Sequence, residues 1–197
     1  MKILGITGGI GSGKSSVIKL LESQKYIAIN SDKIANILIQ KDEEIHQYCK
    51  NYLNIDLHKD EINFQKNKQR LANLLFNDIN LLDEFEKIVW PKILIQIKKQ
   101  IIISNKLYLL EASKLFEANW DKICDNILTV EANREICIAR VFNRSNLSRR
   151  QILLRMKNQL SSKDRRSLSD FVLDNNFTFI ELEEKVKYFS KKNLISY

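Results

Sequence analysis

The 197-residue sequence predicts an α/β fold: an open sheet that carries a phosphate-binding loop, interrupted by a helical insertion. Three observations lead there. A glycine-rich octapeptide, Gly8-Gly9-Ile10-Gly11-Ser12-Gly13-Lys14-Ser15, lies between a short apolar run and an amphipathic segment. Apolar runs of strand length recur at 27–29, 106–111, 125–130 and 171–173, separated by stretches of helical period. Only Gly5 lies outside the octapeptide, and there is a single proline, a composition that favours long helices over an all-β fold.

The first strand is read at Lys2–Thr7. The octapeptide after it fits G-x-x-x-x-G-K-S/T at every fixed position. Its glycines let backbone N–H groups turn toward an anion, backed by the N-terminus of the next helix, where Val17, Leu20 and Leu21 recur at helical spacing. In such a loop Lys14 reaches β- and γ-phosphates, and the Ser15 hydroxyl binds Mg²⁺. A second strand at Ile27–Ile29 leads to Ser31, a candidate cap for a helix starting near Lys33, and to Asp32 at the strand end, the edge where open α/β sheets bind ligands.

From 34 to 103 the pattern is helical throughout. Ile34, Ile37, Leu38, Ile45 and Tyr48 suit one helix; Leu71, Leu74 and Leu75, then Leu82, Phe85, Ile88 and Val89, suit others. Pro91 interrupts the run or opens a new helix. The third strand, Lys106–Glu111, is expected to be central, and Glu111 is either a carboxylate that helps hold Mg²⁺ or a solvent-facing strand end. A fourth strand, Asp125–Val130, precedes a helix that Asn133 is expected to cap.

Arginines then cluster at 140, 144, 149, 150, 155, 165 and 166. Ser148 and Gln151 form a capping-box pattern that starts a helix, on which Arg155 and Gln159 are expected to share a face, as Arg140 and Arg144 do on the helix before. Beside a phosphate loop, this region (about 140–166) reads as a mobile lid over phosphates. A fifth strand at Phe171–Leu173 and a Thr178–Glu181 capping box, opening a terminal helix to about Phe189, complete the chain.

The net charge of +8 points to an anionic ligand, although most of the excess is general compositional bias. Cys49, Cys124 and Cys137 read as reduced thiols of a cytoplasmic protein, and His46 and His58 are not expected to form a metal site. No signal peptide is read, and Lys98 and Lys99 exclude a membrane span over Ile93–Ile103.

The chain resembles the dephospho-coenzyme A kinase family over nearly its whole length. The resemblance rests on T-G-G-I-G-S-G-K-S at Thr7–Ser15, Asp32-Lys33-Ile34-Ala35, Leu115-Phe116-Glu117, the set Arg140, Arg144, Arg155 and Gln159, and Asp170–Asn175. It implies a three-layer P-loop NTPase core with a parallel five-stranded sheet formed by 1–33 and 104–197, a coenzyme A-binding helical domain at 34–103, and a lid. It also implies transfer of the ATP γ-phosphoryl group to the ribose 3′-hydroxyl of dephospho-coenzyme A. Carried over by position, Gly11, Ser12, Gly13, Lys14, Ser15 and Ser16 bind ATP and Mg²⁺, Asp32 is the acid near the acceptor hydroxyl, Arg140 clamps phosphates, and Asn175 lies near the adenine. The chain departs from the family pattern at Asn30 (first acid of D-x-D), at Trp90 before Pro91 (a histidine), and at Asn67-Lys68 (Asp-Arg). It departs again at Glu111–Leu115, where the family has Asp-Ile-Pro-Leu-Leu.

Three other readings compete, of which a degenerate, non-catalytic nucleotide-binding protein is opposed by the intact Lys14, Ser15 and Asp32. A kinase for another nucleoside or nucleotide would differ in the insertion. A nucleotide-dependent nucleic-acid binder would explain the basic charge, but no aromatic-basic interleaving suited to base stacking accompanies it. Neither a membrane nor a nucleic acid is expected as a partner.

Overall fold

The computed structural model describes residues 2–22, 26–58, 61–101 and 106–194. They fall into two compact units, one from 1–30 with 101–197 and one from 31–100.

The first unit is built on a five-stranded sheet of β1 (Lys2–Thr7), β2 (Ile27–Asn30), β3 (Leu107–Glu111), β4 (Asn126–Glu131) and β5 (Phe171–Asp174). The order is β2-β3-β1-β4-β5, and every pairing is parallel. Parallel strands are buried on both faces and so read as continuous apolar runs, which is why Ile3–Ile6 and Leu107–Leu110 were legible without alternation. On one face Leu4, Ile6, Leu109 and Leu128 pack with Val17 and Leu21 of α1 (Lys14–Glu22) and Leu182, Val186 and Phe189 of α9 (Phe179–Asn193). On the other, a Cβ at Gly5 would come within 2.8 Å of Cys124 Sγ and 3.0 Å of a Leu115 methyl, so the segment after β3 is pressed onto the strand. Sheet and two covering layers make the three-layer α/β core.

Two aspartates set the ends of the ladder. Asp125 Oδ2 accepts from the Ile3 N–H at 2.6 Å, and Asp170 Oδ2 accepts from the Ile127 N–H at 2.7 Å. At the opposite edge the register aligns Ile6 and Asn30 with Glu111, Thr7 with Thr129, and Glu131 with Asp174. The polar carboxyl ends of all five strands therefore share one edge.

Between β4 and β5 run α6 (Arg134–Arg144), α7 (Arg149–Lys157) and α8 (Ser162–Leu168). Both expected capping boxes are present, at Ser148/Gln151 and at Thr178/Glu181. Asn133 occupies the N-cap of α6 but makes no side-chain cap bond; its backbone N–H donates to Asn176 Oδ1 at 2.7 Å. Gln159 does not share a helical face with Arg155, because α7 is capped at Asn158.

The second unit consists of α2 (Ser31–Lys41), α3 (Glu43–Leu53), α4 (Glu61–Asn77) and α5 (Ile79–Gln100). Three expectations are corrected here. Ser31 is the first residue of α2 and does not precede a helix starting near Lys33. The single helix expected through Ile34 and Tyr48 is two, because Asp42 ends one and caps the next, its Oδ1 accepting from the Ile45 N–H at 3.1 Å. Pro91 lies inside α5, exposed, and does not break it, since Leu82, Phe85, Val89, Ile93 and Ile97 form one buried stripe through it. The helical reading to Ile103 ends outside the described residues. Ile37 and Leu74 face solvent.

Leu109 is fully buried at the middle of β3. Leu109→Ala is expected to lower unfolding stability by about 2–5 kcal/mol, seen as a lower urea midpoint at unchanged m-value.

Candidate functional site

The loop between β1 and α1 is a backbone turn that tolerates no side chains at its critical points. Gly11 has φ +82° and Gly13 φ +102°, in the left-handed region that favours glycine. A Cβ on Gly11 would lie 2.4 Å from the Cys137 carbonyl oxygen on α6, and one on Gly13 would lie 2.1 Å from Asn175 Nδ2. The loop is thus threaded between α6 and the end of β5, with the first turn of α1 directed back into it.

Side chains from distant parts of the chain fix it there. Asn175 Nδ2 donates to the Ser12 carbonyl at 2.8 Å, and Arg140 Nη1 donates to the Asn175 carbonyl at 3.0 Å and to the Ser12 carbonyl at 3.5 Å. The Ile10 N–H donates to Gln159 Oε1 at 3.0 Å. Lys14 is buried, and its ammonium donates to the Gly8 carbonyl at 2.8 Å and the Gly9 carbonyl at 3.2 Å, so the charge lies over the loop rather than in solvent. Ile10 also packs against an apolar cluster of Ile138, Val141, Ile152 and Met156, which joins α6 and α7 to the loop.

Two buried carboxylates stand at the same sheet edge, and each has a different chemistry. Glu111, at the end of β3, accepts from Ser15 Oγ at 2.8 Å through Oε1 and from the Asn30 amide through Oε2. A hydroxyl and a carboxylate in contact beside a phosphate loop are oxygen donors of the kind Mg²⁺ takes. Of the two readings left open for Glu111, this contact favours the one with a metal. Asn30, noted only as a departure from the family pattern, orients that carboxylate.

Glu131, at the end of β4, is instead an anchor. Arg165 grips it through Nε at 2.6 Å and Nη2 at 2.9 Å, and Thr129 Oγ1 donates to it at 2.8 Å. Burial alone would raise the Glu131 pKa, but the hydrogen bonds and charge of Arg165, with Thr129 and Ser162, outweigh that and hold it below 4.5. The same guanidinium donates to the Leu160 carbonyl, and a Cβ on Gly9 would lie 3.1 Å from its Nη2. Arg165 is therefore committed to a buried ion pair under the loop. Arg149 and Arg166 likewise hold Glu135 and Asp174. Spacing could not separate these arginines from the others, because what distinguishes them is a carboxylate elsewhere in the fold.

Of the residues expected at the site, the structure brings Gly11, Ser12, Gly13, Lys14, Ser15, Arg140 and Asn175 together, with Ser16 in the first turn of α1. Asp32 is exposed in the first turn of the helical unit's α2. Sequence reasoning missed Glu131 and the Gln159 contact with Ile10; Glu117, whose carboxylate accepts from the Leu160 N–H at 2.9 Å, had entered only as part of a motif.

The edge also suits a phosphate-bearing ligand. Among the described residues, the buried oxygens Thr7 Oγ1 and Ser12 Oγ are without a hydrogen-bond partner, one at the end of β1 and one within the loop. Buried hydroxyls beside a cationic loop are suited to an oxyanion. No helix among the described residues is long and apolar enough to cross a membrane.

Comparison with known proteins agrees. A family model described as dephospho-CoA kinase matches residues 2–181. A dephospho-CoA kinase of Helicobacter pylori is 31% identical over 193 residues, covering 95% of each chain. One of Fusobacterium nucleatum is 30% identical over 192 residues, covering 95% of this chain and 96% of its own. Among solved structures, a Thermus thermophilus protein superposes with a TM-score of 0.77 at 30% identity, covering 98% of this chain and 97% of its own. The dephospho-CoA kinase of Campylobacter jejuni superposes at 0.70 and 23% identity with the same coverage, a likeness of fold.

Breaking the anchor beneath the loop is expected to cost stability. Glu131→Gln leaves a buried guanidinium without its counter-charge and should lower unfolding stability by about 3–5 kcal/mol at neutral pH. The folded-state pKa of Glu131 lies below the ordinary 4.5, so its contribution is complete above 4.5 and is lost as pH falls through the folded value. Urea titrations from pH 7 down to 3 should show wild type and variant converging at the acid end; a constant gap would refute the linkage.

Proposed function

The chain belongs to the dephospho-CoA kinase family and is an ATP-dependent kinase of dephospho-CoA, and we propose the following division of labour among its residues. The contact between Ser15 and Glu111 beside the buried Lys14 carries the reading, since it joins a phosphate cradle to an oxygen pair suited to a divalent ion. Gly11, Ser12, Gly13, Lys14, Ser15 and Ser16 hold the ATP phosphates through backbone N–H groups and the Lys14 ammonium. Mg²⁺ held by Ser15 and Glu111 would neutralise charge on the β- and γ-oxygens.

Arg140 answers charge on the phosphoryl group, and its present bonds to the Asn175 and Ser12 carbonyls hold the guanidinium beside the loop until it does. Asn175 contributes to the nucleotide side by fixing the Ser12 carbonyl, in addition to the adenine-side role that the family resemblance implies. Residues 140–166 serve as a lid over the phosphates. The helical unit binds the coenzyme A moiety, and Asp32 orients the ribose 3′-hydroxyl and accepts its proton as the oxygen bonds to the γ-phosphorus and the bond from that phosphorus to the bridging oxygen breaks, releasing ADP. The product is coenzyme A, formed in the cytoplasm from small-molecule substrates.

A steady-state assay with ATP, Mg²⁺ and a panel of acceptors tests this. Dephospho-CoA should be turned over, and Lys14→Ala should lower turnover roughly 10²-fold or more, because that charge meets the spreading negative charge of the transition state. No turnover with dephospho-CoA but brisk turnover with a nucleoside or nucleotide would overturn the substrate assignment.

Asp32 is tested separately. Asp32→Asn should reduce turnover by roughly 10²-fold while leaving ATP affinity and melting temperature near wild type. Retained turnover with a slight loss of stability would mark it as no more than a favourable charge in the first turn of α2.

A further inference from the structure

The two histidines of the chain, 12 residues apart in sequence, meet in the helical unit. His46 is buried on α3, and its Nε2 bonds the Ile39 carbonyl at 2.9 Å. A carbonyl only accepts, so Nε2 carries the proton and Nδ1 keeps its lone pair. Nδ1 lies 3.3 Å from both ring nitrogens of His58, over the face of a ring set at 85° to its own with centroids 4.3 Å apart, and His58 Nε2 lies 3.4 Å from Glu43 Oε1. Ligand atoms of Glu43, His46 and His58 all fall within 4.8 Å of one another.

We propose that Glu43, His46 and His58 form a binding site for a divalent transition metal of the Zn²⁺ class. The ligand atoms are close enough to share one ion, and a turn of the exposed His58 ring out of its edge-to-face stack brings its in-plane lone pair onto that ion. The Ile39 carbonyl is the outer partner that a metal-binding histidine characteristically uses to fix its tautomer and ring. Two imidazoles and one carboxylate suit Zn²⁺, whereas Mg²⁺ and Ca²⁺ take oxygen sets. The frame is held independently of the metal. Asp42 caps α3 one residue before Glu43 and accepts from Lys92 at 3.0 Å. On the other side, the His58 N–H donates to Asp56 Oδ1 at 3.0 Å and Asn67 Nδ2 donates to the Asp56 carbonyl at 2.6 Å. Cys49, one turn beyond His46, is buried and is not among the groups whose ligand atoms converge. The bound ion would clamp the start of α3 to the segment that follows the helix, with one coordination position left to solvent.

The test is a calorimetric Zn²⁺ titration of the full, chelator-treated chain without nucleotide and in excess Mg²⁺, with melting temperature and the Co²⁺ absorption spectrum as second readouts. His58 and Glu43 are exposed, so His58→Ala and Glu43→Gln should fold, which their metal-free melting temperatures verify. Wild type should bind one Zn²⁺ and melt higher with it. His58→Ala should weaken binding at least about 10-fold, a cost already typical of losing a group that only orients a ligand, and should abolish the thermal shift. Glu43→Gln should weaken it as well, and Co²⁺ should give visible bands without thiolate charge transfer. Absence of saturable binding, equal affinity in His58→Ala, or a thiolate band would overturn the proposal.

Discussion

The backbone between Thr7 and Lys14 passes so close to α6 and to Asn175 that a Cβ at Gly11 or Gly13 has nowhere to go. Much of the sheet's carboxyl edge serves that constraint. A loop with four glycines between residues 8 and 13 has few side chains to anchor it, so it is also held from outside, by Asn175 and Arg140 on the Ser12 carbonyl and Gln159 on the Ile10 N–H, with Arg165 close by Gly9. These anchors come from segments more than 120 residues away in sequence. The central position of β1, paired with both β3 and β4, brings the loop to them.

The edge also sorts its charges by burial and partner. Glu131 is saturated by a bidentate guanidinium and a threonine hydroxyl, which leaves it structural. Glu111 instead accepts from two neutral donors, the Ser15 hydroxyl and the Asn30 amide, and no guanidinium grips it among the described residues. Two glutamates at equivalent strand ends thus differ in chemistry because of what faces them. An asparagine at position 30 provides a donor to Glu111, where a second acid would add like charge.

The helical unit follows a simpler rule. One stripe from Leu82 to Ile97 runs unbroken through Pro91, so packing outweighs the lost backbone bond. Its polar features are local: an aspartate cap, a lysine bridge and a histidine pair whose tautomer is set by one carbonyl.

The sequence by itself determined the elements and the loop. Continuous apolar runs marked the buried parallel strands, glycines at fixed spacing marked the loop, and two capping boxes marked helix starts, because each signal is read within a few residues. It did not separate α2 from α3, since a good N-cap at Asp42 leaves the apolar period nearly undisturbed across the break. It counted Arg165 with the lid arginines, and did not lead to an expectation of a metal site at His46 and His58. Those assignments required tertiary structure. Whether an arginine is an anchor or a ligand group, and whether two histidines form a pair, depends on electrostatic partners that sequence distance does not encode and that only the folded chain brings within a few ångströms.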